Sequence, residues 1–230
     1  MTVNSRRLYL WDIDGTLITS GGAGSGAMRA AFNALYRRND GFSNIEFSGR
    51  TDRSLFREAL TACGLCDDDC FAEDLRRFKR AYKRRLFGSL PACDGRVLPG
   101  VVEVLDRLAI DSDATLALGT GNFRSTAAVK LGYYKLAHYF QTGGFGDSTD
   151  DRAELIAAGA RAAERLSGRK HGTVFVIGDT VHDVTSAKAN GFVAVAVATG
   201  VASRETLEAA GADVVLPTLE SAVDVLLGRD

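Results

Sequence analysis

The chain has 230 residues, 46% of them hydrophobic and 25% charged, and its 28 Lys/Arg against 29 Asp/Glu leave a net charge of −1. That is an ordinary globular balance, which excludes disordered, collagen-like and coiled-coil chains. No apolar run reaches the length of a membrane span, and near-neutrality argues against a nucleic-acid binder that works through overall charge. The apolar run before Asp12 is too short for a signal peptide. The expectation is therefore a cytoplasmic protein of about one and a half typical domains.

In chain order, Leu8 to Asp14 (LYLWDID) reads as a short buried strand ending in acids. Residues 115–119, 174–178, 193–198 and 213–216 repeat the type, each Val-, Ile- or Leu-rich and bounded by Gly, Asp, Asn or Thr. Phe140 to Phe145 is a weaker strand. Helical patterns fall between them: Val101, Val104, Leu105 and Leu108 after Pro99, then Ala127 to Leu131, Leu155 to Leu166, Val184 to Ala189, Leu207 to Ala210 and Leu219 to Leu227. Strand alternating with helix implies a parallel sheet covered on both faces, a Rossmann-like doubly wound α/β core.

Residues 16–95 break the alternation. Ala27 to Tyr36, Asp52 to Cys63 and Glu73 to Phe87 all read as helices with no strand between them. The expected organisation is thus a discontinuous α/β domain, 1–15 and 96–230, with an inserted all-helical domain, 16–95. The insertion carries 13 Lys/Arg and 10 Asp/Glu, net +3, against 15 and 19, net −4, in the remainder. Its basic run, Arg76 to Arg85, reads as a solvated helix face rather than a nucleic-acid patch. Cys63, Cys66, Cys70 and Cys93 lack the second short pair of a zinc site and read as small residues around a helix end near Gly64-Leu65. Gly21, Gly22, Gly24 and Gly26 lack the strand-to-helix setting of a dinucleotide loop and read as a flexible hinge.

Ligands of parallel α/β sheets collect beyond the carboxyl ends of the strands, and three such ends here are polar. The first is Asp12-Ile13-Asp14-Gly15-Thr16, where spacing of two on an extended chain puts both carboxylates on one side. Carboxylates that close raise each other's pKa unless a cation or hydrogen bonds intervene. The second is Thr120-Gly121-Asn122, with a hydroxyl, a close-approach glycine and a helix N-cap whose free N–H groups would form an anion site. The third is Gly178-Asp179-Thr180-Val181-His182-Asp183, with two acids four apart at a helix start. Magnesium wants hard oxygen ligands, and acids from two strands plus a backbone carbonyl make a plausible partial shell. His182 reads as a solvent-exposed loop residue.

Taken together, these residues resemble the haloacid dehalogenase-like hydrolase superfamily. Asp12-Ile13-Asp14-Gly15-Thr16-Leu17 matches its DxDGT[LV] motif, Thr120 the Ser/Thr of the second, and Asp179 with Asp183 the GD-x3-D form of the fourth. The inserted helices suit the phosphoglycolate phosphatase-like group, whose helical cap lies between the first two motifs. The resemblance implies a Mg²⁺-dependent phosphatase acting on a small phosphorylated metabolite, as a monomer or weak homodimer without membrane or nucleic-acid partners. It makes Asp12 the nucleophile that becomes an aspartyl phosphate, and Asp14 the acid that protonates the leaving alcohol and then activates water. It gives Mg²⁺ to the Asp12 carboxylate, the Asp14 carbonyl and Asp179, with Asp183 as a ligand or holder of a metal-bound water. Thr120, Gly121 and Asn122 would grip the phosphoryl group.

The family's third motif is usually a Lys, often followed by Pro, and no Lys-Pro occurs here. Arg152, in Asp150-Asp151-Arg152, takes that role in our reading, and its fork suits phosphate and carboxylate oxygens. Lys170 is its rival, but leaves no helix before the strand. In the insertion, Gly49-Arg50-Thr51-Asp52 is the segment expected to meet substrate, with Arg50 facing an acid or phosphate of the leaving group, or exposed beside an Asp52 N-cap. A sugar phosphomutase of the same superfamily is the alternative. A 2-haloacid dehalogenase has no use for Asp14 and Asp179, and a phosphonate hydrolase needs an insertion lysine beyond Lys79 and Lys83. A non-catalytic binding protein would have no need of so complete a set of polar residues.

Overall fold

A computed structural model describes residues 6–227. The chain begins with β1 (Arg7–Trp11) and β2 (Ile18–Thr19), then three helices, α1 (Ala23–Tyr36), α2 (Asp52–Ala62) and α3 (Asp68–Ser89). Next come β3 (Arg96–Val97), α4 (Val101–Ala109), β4 (Ala114–Thr120), α5 (Arg124–Tyr133) and β5 (Gly143–Phe145). The chain continues through α6 (Arg152–Ser167), β6 (Thr173–Gly178), α7 (Val181–Ala189), β7 (Val193–Val197), α8 (Arg204–Ala209), β8 (Val214–Leu216) and α9 (Ala222–Leu227). Among the described residues no helix is long and apolar enough to cross a membrane.

Six strands form one parallel sheet in the order β5-β4-β1-β6-β7-β8. Because side chains alternate along a strand, β1 feeds two cores at once. Tyr9 and Trp11 pack with Val104, Leu105, Ile177 and Leu226 on one face, and Leu8 and Leu10 with Leu155, Ile156, Ala163 and Val184 on the other. These four β1 side chains are fully buried, Arg7 only partly. Each of the four contributes about 1.5–3 kcal/mol relative to an exposed position. The Tyr9 hydroxyl, at the bottom of the first layer, donates to the Leu226 carbonyl at 2.6 Å.

The three helices of the insertion close a third cluster, rich in rings: Phe32, Phe42, Phe56, Phe78 and Tyr82, with Phe56 stacked on Phe78 at 4.2 Å between centroids. Phe123, from the segment ahead of α5, enters the same cluster. Arg76, Arg77, Arg80, Lys83 and Arg84 on α3 face outward. Lys79 is half-buried and ion-pairs Asp147.

The chain crosses between sheet and helices at β2 and β3, which pair antiparallel, Ile18 with Val97 and Thr19 with Arg96. This corrects the glycine hinge expected at 21–26. Gly24 and Gly26 lie inside α1, with Gly22 at its N-cap, because Ala23, Ala27, Met28 and Ala31 form an apolar helix face that outweighs the glycine penalty. Cys63 is the C-cap of α2 and is followed by Gly64 at φ +67°, as the helix-end reading of the cysteines expects. All four thiols are free.

Candidate active site

In the sheet β1 lies between β4 and β6, so the three polar strand ends are neighbours. The Asp12 N–H still donates to the Ile177 carbonyl at 2.9 Å, carrying the β1 ladder one residue further and holding Asp12 beside β6. The chain then turns at Gly15, at φ +84°. A Cβ at Gly15 would sit 2.3 Å from Asp179 Oδ2, so both backbone conformation and space demand glycine. Thr16 Oγ1 donates to Asp179 Oδ1 at 3.1 Å, tying the first loop to the third.

Asp12, Asp179 and Asp183 bring carboxylate oxygens within 4.8 Å of one another, and all three are buried. Arg152, the first residue of α6, is buried against them. Its Nη2 lies 2.5 Å from Asp183 Oδ1 and 3.3 Å from Asp12 Oδ2, and its Nε donates to Asp183 at 3.1 Å. Asp183 Oδ2 meanwhile accepts from the Thr180 N–H and hydroxyl, closing a capping box on α7. Burial and neighbouring carboxylates push Asp179 up to about 8. Burial pushes Asp12 up to about 6 against the lowering pull of Arg152. Three hard-oxygen groups with one guanidinium leave a formal charge of −2 in a desolvated site. That donor set fits a hard divalent cation such as Mg²⁺.

Asp14 goes elsewhere. Its carboxylate ion-pairs Lys130 and accepts from Asn122 Nδ2 at 2.9 Å, and its side chain is 39% exposed. Asp12 and Asp14 face one cavity, as their spacing expects, but their carboxylates pair with different cations, Asp12 with Arg152 and Asp14 with Lys130. Asp14's side chain lies outside the three-carboxylate group, leaving only its carbonyl for the metal role read from sequence. Thr120 is fully buried, its hydroxyl accepts from Asn122 Nδ2 at 2.9 Å, and its nearness to Asp12 pulls that carboxyl down slightly against burial.

The helix start after Asn122 is not the free anion site expected. The α5 N-cap is Phe123, whose N–H donates to Asp52 Oδ2 at 2.8 Å, and the Arg124 N–H donates to Asp147 Oδ2 at 2.6 Å. Two acids, one from the insertion, have taken those donors. Asp52 is itself wholly buried, also accepting from Thr126 Oγ1, and burial pushes it up to about 6 despite Lys130 nearby. Its N–H donates to the Gly121 carbonyl at 2.7 Å. Gly121 earns its place by contact: a Cβ there would lie 2.1 Å from the Arg50 carbonyl.

A cavity of about 690 Å³ lies between these strand ends and the helices. Asp12, Asp14, Gly121, Asn122, Lys130, Arg152 and Asp179 line its floor, and Met28, Phe47, Arg50, Leu55 and Tyr82 its roof. Arg50 faces it, but its guanidinium ion-pairs Glu58, so its charge is engaged within the insertion. Lys170 precedes β6, at the opposite end of that strand from Asp179. His182 is exposed, in the first turn of α7 rather than in a loop.

Sequence reasoning missed Lys130 and the tethering role of Asp52. Lys130 sits at helical spacing within the buried stripe Thr126, Ala127, Leu131, and only that interruption of an inward face hinted at it.

A family model described as haloacid dehalogenase-like hydrolase matches residues 7–191. A relative in Dickeya dadantii (strain 3937), named "Probable phosphatase IndB", is 28% identical over 219 residues, 94% of this chain and 91% of that protein. A solved structure described as a predicted phosphatase from Clostridium acetobutylicum superposes with a TM-score of 0.68 at 19% identity, covering 97% of this chain and 99% of that one. Another, described as a predicted phosphoglycolate phosphatase from Haemophilus somnus 129PT, superposes with a TM-score of 0.65 at 18% identity, covering 98% and 99%.

Proposed function

This chain belongs to the haloacid dehalogenase-like hydrolases, and from that membership we propose that it is a Mg²⁺-dependent phosphatase of a small phosphomonoester. The observation that carries the reading is the buried group of Asp12, Asp179, Asp183 and Arg152, opening on the same cavity as Asp14. The name of the Dickeya relative supports it.

Asp12, Asp179 and the Asp14 carbonyl would hold Mg²⁺, with Asp183 as a further ligand or the holder of its water. The bound ion supplies charge neutralisation at the phosphoryl oxygens and at the attacking carboxylate. Asp12 attacks phosphorus, the bond to the leaving oxygen breaks, and Asp14 gives that oxygen its proton. Asp14 then takes a proton from the water that hydrolyses the aspartyl phosphate. Arg152, oriented by Asp183, spreads its positive charge toward Asp12 and the transferring group, where pre-positioned charge counts most. Gly121 and Asn122 line the space where the phosphoryl group would sit, beside the buried Thr120.

In this reading residues 16–95 are a cap on a core of 1–15 and 96–230, swinging about β2 and β3, with Arg50 on the substrate side. The four free thiols fit a reducing, cytoplasmic setting.

Purified protein with Mg²⁺ is expected to hydrolyse p-nitrophenyl phosphate, and Asp12→Asn to lower the rate by about 10³-fold or more. Turnover that persists in Asp12→Asn, or that ignores chelation of divalent ions, overturns the mechanism. A screen of phosphorylated metabolites identifies the leaving group.

A further inference from the structure

We propose that Lys130 is a positioning residue that fixes the Asp14 carboxylate for proton transfer to the leaving group, an inference that rests on the reading of Asp14 as acid and base. Lys130 is 3% exposed, an unusual state for a lysine, and its ammonium has two partners: the Asp14 carboxylate and Asn122 Oδ1 at 2.6 Å. Asn122 completes the frame. Its Nδ2 donates to Asp14 Oδ2 and to Thr120 Oγ1, both at 2.9 Å.

Two donors therefore converge on Asp14 Oδ2, while Oδ1 accepts no hydrogen bond among the described residues. An aspartate on a turn otherwise rotates about both side-chain torsions. Here one oxygen is clamped, so the other is aimed. Orientation of this kind is a large part of what a general acid contributes.

The insertion keeps the clamp shut. A Cβ added at Gly24 of α1 would lie 3.3 Å from Lys130 Nζ and 3.6 Å from the Tyr82 hydroxyl, so the helical roof rests directly on the ammonium. The step served is the first one: the phosphorus–oxygen bond breaks, its electron pair stays on the leaving oxygen, and that oxygen takes the proton from Asp14.

Leaving groups of different acidity test this without appeal to overall activity. The p-nitrophenolate ion departs with little need of a proton, whereas the phenolate of phenyl phosphate needs one more. In Lys130→Met, kcat/KM for phenyl phosphate is expected to fall at least about tenfold more than for p-nitrophenyl phosphate, because kcat/KM reports only steps up to leaving-group release. Gly24→Ala, which keeps the lysine but crowds it, is expected to change the same ratio in the same direction by a smaller factor, and decides the matter if Lys130→Met does not fold. Equal losses with both substrates overturn the proposal, as does an unchanged kcat/KM or a rise confined to KM, which would make Lys130 a substrate-binding group. A wild-type chain that hydrolyses neither ester overturns the phosphatase reading and this inference with it.

Discussion

Arg152 holds two buried carboxylates with one guanidinium, and that economy makes it fragile. Truncation to Ala would leave Asp12 and Asp183, both buried, without their shared counter-charge. Breaking a buried pair from one side costs about 3–5 kcal/mol, so the urea midpoint of Arg152→Ala should fall accordingly, alongside activity. Asp179 gives a second prediction at this scale. Its folded pKa of about 8 lies above the usual 3.8, so between those values the folded chain holds more protons than the unfolded one. Its contribution to stability is thus present below about pH 4 and is lost as pH rises through about 8. In chelator, Asp179→Asn should flatten the decline of stability over that window, by up to about 1.4 kcal/mol per pH unit. Asp12, Asp14 and Asp179 were legible in sequence because short apolar runs announce where strands end, whereas Arg152 was reached only through the family resemblance. Lys130 was not legible, since a lysine in a helix ordinarily points to water, and the engagement of Arg50 by Glu58 depends on a helical turn that composition does not reveal.

At the scale of elements, the joint between α2 and α5 carries the most information. Asp52 begins α2 and caps α5, and its N–H reaches Gly121, so one residue links the insertion to the second site loop in three bonds. Asp52→Ala strands the Phe123 N–H in a buried place and should cost about 1–3 kcal/mol in denaturant titrations. Asp150 offers a contrast. It ion-pairs Arg53 and Arg57 of α2, but all three side chains are between 21% and 35% exposed. Asp150→Ala should shift stability by less than about 1 kcal/mol, which the same titration resolves. The helices and strands themselves were readable from periodicity. Which helix start stays free for an anion was not, because the acids that occupy the α5 terminus come from 71 and 23 residues away.

For the molecule as a whole, the division of charge seen in the sequence acquires a location. Within the α/β part, net −4, three carboxylates are gathered in one buried group, and a divalent ion bound there would favour the folded state alone. At a concentration one hundred times its dissociation constant it should add about 2.7 kcal/mol. For a chain of this length that is a rise in melting temperature of roughly 5–10 °C, absent in chelator and reduced in Asp179→Asn. The doubly wound class was evident from the alternation of elements, whereas the order of strands was not, since apolar runs do not say which neighbour they take.

That order has a consequence for synthesis. β1 pairs from Arg7 with Ala114 on one side and Thr173 on the other, so its second edge stays open until β6 has been made. At about 5–20 residues per second, roughly 10–30 s separate its emergence from that of β6, and for that time Leu8 to Trp11 keeps one hydrophobic edge unpaired. The all-helical segment that follows, built from contacts close in sequence, can fold within that delay. The nascent chain thus carries a folded helical segment ahead of an unfinished sheet. A stalled chain ending before residue 173 should bind a chaperone through its N-terminal strand, and release it once β6 is made.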